Sequence, residues 1–149
     1  MDVVIREIQE MDHADVVMLW NNDLGSPTVT SDNISARIER LNSDENYKII
    51  VAVLDNKVVG CISMVQIMAL EYEMGYLQIN GLVVQKNVQQ KGIGTKLINH
   101  AENFASKNGL SYMILNCGFQ RTKAHEFYES KGFNRLSYCF TKEIKRKED

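Results

Sequence analysis

The sequence predicts a single domain, residues 1–149, of the mixed α/β class, with elements in the order β-α-α-β-β-β-α-β-α-β. Three observations carry that expectation. Apolar runs of strand length alternate with segments whose apolar residues recur at helical spacing. A two-residue Asp55-Asn56 turn joins two such runs as a hairpin. The apolar run Leu82-Val83-Val84 is followed by the glycine pair Gly92 and Gly94 and then by an amphipathic segment, a strand, turn and helix in succession. At 149 residues the chain is long enough for a core of its own, and 44% hydrophobic with 24% charged residues is ordinary globular composition.

Val3 to Ile8 alternates as a first strand. Asp12 then caps a helix to about Asn22, with Val16, Val17, Leu19 and Trp20 as its apolar positions. Gly25 and the only proline, Pro27, mark a loop before a second helix from Ser31 or Asp32, with Ile34, Ile38 and Leu41 on one face. Tyr47 to Leu54 is a nearly unbroken apolar run, as expected of a strand buried on both faces, and Val58 to Val65 is its hairpin partner. Gln66 to Gly75 reads equally as strand or loop. Tyr76 to Val84 is a strand with Gly81 inside it, a position that marks either a bulge or close packing. From Ile93 a helix presents Leu97, Ile98, Ala101, Phe104 and Ala105 on one face, ending at Gly109. Leu110 to Asn116 forms the next strand, Thr122 to Ser130 a short helix, and Leu136, Tyr138 and Phe140 alternate as a final strand. The tail from Lys142 to Asp149 is charged with both signs and reads as solvated.

The stretch Gln89-Gln90-Lys91-Gly92-Ile93-Gly94-Thr95 holds the strongest chemical signal. A helix N-terminus offers unpaired N–H groups and the positive end of the helix dipole, and glycines let an anion approach the backbone, so the expected guest is a phosphate. A dinucleotide fingerprint needs a third glycine where Leu97 stands, and a phosphate-loop nucleotidase needs Gly-Lys-Ser/Thr, so neither motif is present. A glycine turn capping an ordinary helix would read the same way. The pattern Gln89-x-x-Gly92-x-Gly94 resembles the pyrophosphate motif of the GNAT superfamily of acyl-CoA-dependent N-acetyltransferases. Downstream, Arg121 to Phe133 resembles the same superfamily's C-terminal signature, in which a helix with Ala-x-x-Phe-Tyr-Glu leads to Gly-Phe. The two matches stand in the right order, and the likeness covers about Val58 to Ile144.

The resemblance implies a GNAT fold in which a bulge splays the fourth and fifth strands, acetyl-CoA as the acyl donor and direct transfer to a primary amine in a ternary complex. It implies that Leu82, Val83 and Val84 meet the pantetheine through main-chain atoms, and that Gln89, Gln90, Lys91, Gly92, Ile93, Gly94 and Thr95 hold the pyrophosphate. Asn116, Arg121 and His125 are further cofactor contacts by the same likeness. Tyr128 matches the tyrosine that protonates the leaving thiolate. Its ordinary pKa near 10 exceeds that of a thiol near 8.5, so the proton moves downhill; by spacing alone it would be a half-buried aromatic beside Phe127. Many relatives carry Ile-Glu where this chain has Ile79-Asn80. An asparagine cannot take a proton at neutral pH, so Asn80 is expected to position a water or the substrate; Glu71 or Glu73 is an alternative base, or the amine binds already neutral. Trp20, Asn21, Tyr72 and Glu73 are the candidate acceptor contacts, with Asp23 and Glu71 as possible attractants for an ammonium. The acceptor is expected to be a small molecule; a protein or peptide amine, or a non-catalytic acyl-CoA sensor, are the alternatives.

The net charge of −2 gives no electrostatic footprint for nucleic acid or an anionic membrane. With no apolar run near the roughly 20 residues of a membrane span and no basic-then-apolar leader, a cytoplasmic location is expected, and the resemblance allows a homodimer. Cys61, Cys117 and Cys139 are odd in number and widely spaced, which argues for reduced packing thiols over a disulfide or zinc framework. His13 and His100 lack spaced partners, and no metal is expected.

Overall fold

The structure is a computed structural model that describes residues 2–146. Its chain divides into two compact units, one through Leu115 and one from Asn116. The first holds a five-stranded sheet in the order β1 (Val4–Glu7), β2 (Tyr47–Leu54), β3 (Lys57–Ala69), β4 (Tyr72–Val84) and β5 (Met113–Leu115). The first four strands pair antiparallel, and β5 lies parallel to β4. The parallel pair requires a crossover, which α3 (Ile93–Lys107) supplies. The mixed α/β class expected from the sequence is the one observed.

The Asp55-Asn56 turn has φ of 50° and 63° at its two residues, the left-handed pair that asparagine and aspartate tolerate and a tight hairpin needs. Alternation along β2 then feeds two cores. Ile49 and Val51 join Val58, Cys61 and Val83 beneath α1 (His13–Met18) and α2 (Ile34–Asn42), whose Val16, Ile34 and Ile38 close that layer. Ile50 and Ala52 point to the opposite face, where α3 buries Ile93, Leu97, Ile98, Ala101 and Ala105. Each of these large side chains contributes roughly 1.5–3 kcal/mol of burial, which is why both strand faces are apolar.

Several boundaries differ from the sequence expectation. The helix after Asp12 widens at Leu19–Leu24 into a π-helical turn closed by Gly25, and so runs past Asn22. Asp12 does not cap that helix with its side chain; its buried carboxylate takes both Arg6 guanidinium nitrogens, at 2.7 and 2.9 Å, and the Gln9 N–H at 2.7 Å. Those bonds, Arg6 first, hold the Asp12 carboxyl below its ordinary pKa. The second helix begins at Ile34 because Thr30 and Asn33 exchange side-chain to backbone bonds and spend Ser31 to Asn33 in a turn. Gln66 to Gly75 resolves as a hairpin, with β3 and β4 extended to a turn at Leu70-Glu71.

The second unit contains α4 (Thr122–Ser130), as expected, but among the described residues no final strand follows it. Residues 134–146 form no ladder, and Leu136, Tyr138 and Phe140 are 86, 80 and 92% exposed. Alternation encodes only the capacity to form a strand; without a paired edge it yields an extended segment. Residues 147–149 of the charged tail lie outside the described residues, and residues 141–146 are exposed. Of the three thiols, Cys61 is buried and packs in the core, whereas Cys139 is exposed and does not.

Candidate active site

The site begins with a fault in the β3–β4 ladder. Ser63 pairs with Gly81 and Met64 with Ile79, so Asn80 has no opposite residue and forms a β-bulge. On the other edge of β4, pairing with β5 covers only Leu77 to Ile79. From Asn80 to Val84 that edge has no strand partner among the described residues, because β5 ends at Leu115, opposite Ile79. Leu82, Val83 and Val84 lie on the opened stretch, Val83 buried in the core and the other two half-buried. The Gln89 side-chain amide donates to the Val84 carbonyl at 2.9 Å and ties the strand end to the turn that follows.

That turn leads into α3 through two residues at positive φ, Gln90 at 67° and Gly92 at 83°. Gly92 precedes the first helical residue, and no atom stands within 4 Å of where its Cβ would be, so the turn is open above the helix end. The first bond of the helix runs from the Lys96 N–H to the Gly92 carbonyl at 3.0 Å. The N–H groups of Ile93, Gly94 and Thr95 therefore have no acceptor among the described residues. No side chain caps the helix, and no acidic residue sits in its first turn. A three-amide, dipole-positive end with open space and the exposed Lys91 beside it fits a pyrophosphate.

Below the bulge lies a cavity of about 320 Å³ between the sheet and the first two helices. Trp20, carried inward by the π-helical turn, forms one wall, and its ring rests on Gly81: a Cβ there would meet Trp20 Cζ2 at 2.9 Å. Gly81 is thus the close-packing partner of a bulge whose extra residue is Asn80. Ile8, Val16, Val29, Ile34, Ile38, Leu41, Tyr47, Ile49 and Cys61 complete the apolar lining, and Ser63, Asn80 and Arg37 are its polar members. The Asn80 side-chain oxygen accepts from Gln78 at 2.7 Å, which leaves its amide N–H groups as the available donors. Burial pushes the Cys61 thiol far above its ordinary pKa, so it is a wall, not a nucleophile.

The structure brings Trp20 and Asn80 into one cavity and leaves the other acceptor candidates outside it. Asn21 clamps its own loop, donating to the Val17 and Val29 carbonyls at 2.8 and 3.1 Å. Tyr72 and Glu73 are exposed at the β3–β4 hairpin, where Tyr72 meets Tyr112 edge-on. Asp23 accepts the Lys86 N–H at 2.8 Å, and Glu71 is exposed at the hairpin turn. Arg37 and Ser63 were not anticipated. No local pattern marks either one: Arg37 is an exposed residue of α2 that borders the cavity beside the buried Ile34 and Ile38.

In the second unit, Tyr128 is buried between Phe127 and Phe133, with ring centroids at 5.4 and 5.7 Å. Burial first, then the nearby Cys117, pushes its hydroxyl above the ordinary value of 10, while Arg121 opposes the shift. The group is therefore a protonated donor across the neutral range. His125 donates Nε2–H to the Gly118 carbonyl at 2.8 Å, which fixes its tautomer. Asn116 and Arg121 are exposed before α4, and Arg121 is the residue just ahead of its first turn. Among the described residues no cluster of three or more His, Cys, Asp or Glu side chains could hold a metal ion. No helix among them is long and apolar enough to cross a membrane.

Residues 14–133 match the model of the acetyltransferase (GNAT) family. Over 70 residues the chain is 40% identical to an uncharacterized N-acetyltransferase, YhdJ, of Bacillus subtilis, covering 46% of this chain and 49% of that one. Over 101 residues it is 30% identical to an aminoalkylphosphonate N-acetyltransferase of Salmonella typhimurium, covering 68% and 66%. The matches thus span about half to two thirds of these relatives. A crystal structure described as a transcriptional regulator from Bacillus halodurans superposes with a TM-score of 0.86 at 25% identity, covering 96% of this chain and all of the other. With four fifths of its residues under one family model, and with the uncapped glycine turn in place, the chain belongs to the GNAT acetyltransferase family.

Proposed function

We propose that the chain is an acetyl-CoA-dependent N-acetyltransferase that acts on the primary amine of a small molecule by direct attack in a ternary complex. The observation that carries the reading is the uncapped N-terminus of α3 behind Gly92, standing at the end of a β4 edge that has lost its partner. Acetyl-CoA, when bound, supplies a thioester carbonyl for the amine nitrogen to attack; the C–S bond breaks, the amine loses one proton and the departing thiolate gains one. The amides of Ile93 to Thr95, with Lys91 and Gln90, hold the pyrophosphate. The main-chain groups of Leu82 to Val84 that the β3 ladder and Gln89 leave free bond the pantetheine as a strand would and offer an N–H to the developing oxyanion. Tyr128 is the proton donor to the thiolate; its raised pKa keeps it protonated at working pH. Asn116, Arg121 and His125 are the further cofactor contacts, and a homodimer is compatible with the fold.

Asn80 accepts no proton at neutral pH. Its amide positions the acceptor or a water at the bulge, and the amine enters the cavity in its neutral form. The cavity of about 320 Å³ is the size of a small-molecule site and supports that class of acceptor over a protein chain. The Salmonella relative's named substrate class, an amine on a phosphonate, is of that scale. Acetyl-CoA-dependent release of free thiol across a panel of amines, with mass spectrometry of the products, tests the reading; turnover with a mass gain of one acetyl group on the amine is expected. A second reading, a non-catalytic acyl-CoA sensor, is favoured by Asn80 and by the described regulator of similar fold. Acetyl-CoA binding without turnover on any amine would select it.

A further inference from the structure

The lining of the cavity defines what class of amine it takes. Among the described residues its lining side chains bear one charge, the guanidinium of the exposed Arg37, and no carboxylate. An ammonium entering such a space gives up its hydration and gains no counter-ion, which disfavours the charged form strongly. A molecule with several ammonium groups meets that cost repeatedly and meets a fixed positive charge as well. An apolar body, by contrast, is matched by Trp20, Ile34, Ile38 and Leu41, and an anionic substituent by Arg37. Arg37 Nη1 donates to the Thr28 carbonyl at 2.6 Å, which anchors the guanidinium to the loop ahead of α2. The rest of its planar fork has no protein partner among the described residues and is free for a bidentate contact.

A neighbouring hollow of about 230 Å³ shares Ile8, Tyr47 and Ile49 with this cavity and carries Glu7, Asp44 and Glu45. Its carboxylates are partly engaged: Lys48 lies 3.4 Å from Glu7, and Asp44 accepts the Asn46 N–H at 2.9 Å. None of the three lines the larger cavity, so none is placed to receive the reacting amine beside Asn80.

We propose that the acceptor is a small primary amine with an apolar body and one anionic group, a carboxylate or a phosphonate, and that Arg37 is the residue that selects it. This rests on the N-acetyltransferase reading above. The test compares, as acceptors with acetyl-CoA, phenylalanine, its aminophosphonate counterpart, phenethylamine as the matched amine without an anion, and spermidine, each with the unmodified chain and with Arg37→Gln. The two anionic amines are expected to exceed phenethylamine in kcat/KM by tenfold or more, with their ratio telling carboxylate from phosphonate. Arg37→Gln should erase that margin and leave acetyl-CoA affinity unchanged. Preference for spermidine, or a margin that survives Arg37→Gln, would overturn the proposal. The same four compounds are titrated calorimetrically against the protein with coenzyme A present. Arg37-dependent binding of the anionic amines without any turnover would sustain the cavity's selectivity while refuting the acetyltransferase reading; absence of both binding and turnover would overturn the selectivity.

Discussion

The glycine turn ahead of α3 and the cavity beneath α1 and α2 lie in the same unit, yet they are built from different materials. The turn is made of backbone: Gly92 at φ 83° and three amides without acceptors among the described residues. Its specificity follows from conformation, and side chains matter there mainly by their absence. The cavity is made of side chains from many places in the chain, Ile8, Trp20, Arg37, Tyr47, Ser63 and Asn80 among them, brought together only by the folded sheet. A backbone site suits a donor common to a family, and a side-chain cavity suits an acceptor that differs from member to member.

Substitutions can separate the two regions from each other and from the chemistry. The largest effect is expected from Tyr128→Phe, which removes the proposed proton donor and neither binding surface. Steady-state kinetics should show kcat lowered by about a hundredfold or more, with acetyl-CoA affinity and acceptor KM little changed; an unchanged rate would remove Tyr128 from the mechanism. Since its pKa is raised above 10, Tyr128 should add no limb to the kcat profile between about pH 6 and 9.

Outside both regions, Asp12→Asn breaks the Arg6 pair and should lower unfolding free energy by about 2–3 kcal/mol. The carboxyl's folded pKa is depressed, so its stabilisation is present above the unfolded value near 3.9 and is lost as pH falls through the folded one. Denaturant titrations should therefore find the gap between the two proteins constant from about pH 5 to 8 and shrinking below about pH 4. A gap that widened on acidification would refute the assignment.

Gly92→Val addresses the backbone site alone. A β-branched residue is strained at φ 83°, so the turn should shift and acetyl-CoA affinity fall about tenfold, or about 1.4 kcal/mol, with acceptor selectivity preserved. Gly81→Ala addresses the cavity alone. Overpacking against Trp20 should cost about 1 kcal/mol of stability and raise acceptor KM several-fold, with acetyl-CoA affinity intact. If either substitution moved both affinities equally, the division into two sites would fail.

The same contrast explains what the sequence disclosed. Local rules sufficed for the Asp55-Asn56 turn, for α3 from Ile93 to Lys107 and for the glycine turn, because each depends on adjacent residues. The Asn80 bulge was only half visible: Gly81 pointed to it, but which residue lacks an opposite depends on the register with Ser63 and Met64. Arg37 and Ser63 carried no local mark at all, since their meeting across the cavity depends on long-range packing. The alternation of Leu136, Tyr138 and Phe140 misled for the complementary reason, because a strand needs an edge to pair with and no local pattern supplies one.

The most direct test is a calorimetric titration of the protein with acetyl-CoA beside acetyl-pantetheine, which keeps the thioester arm and lacks the pyrophosphate. If the amides of Ile93 to Thr95 hold that group, acetyl-CoA should bind at least tenfold tighter, and Gly92→Val should remove most of the difference. Equal affinity for the two compounds would contradict the account.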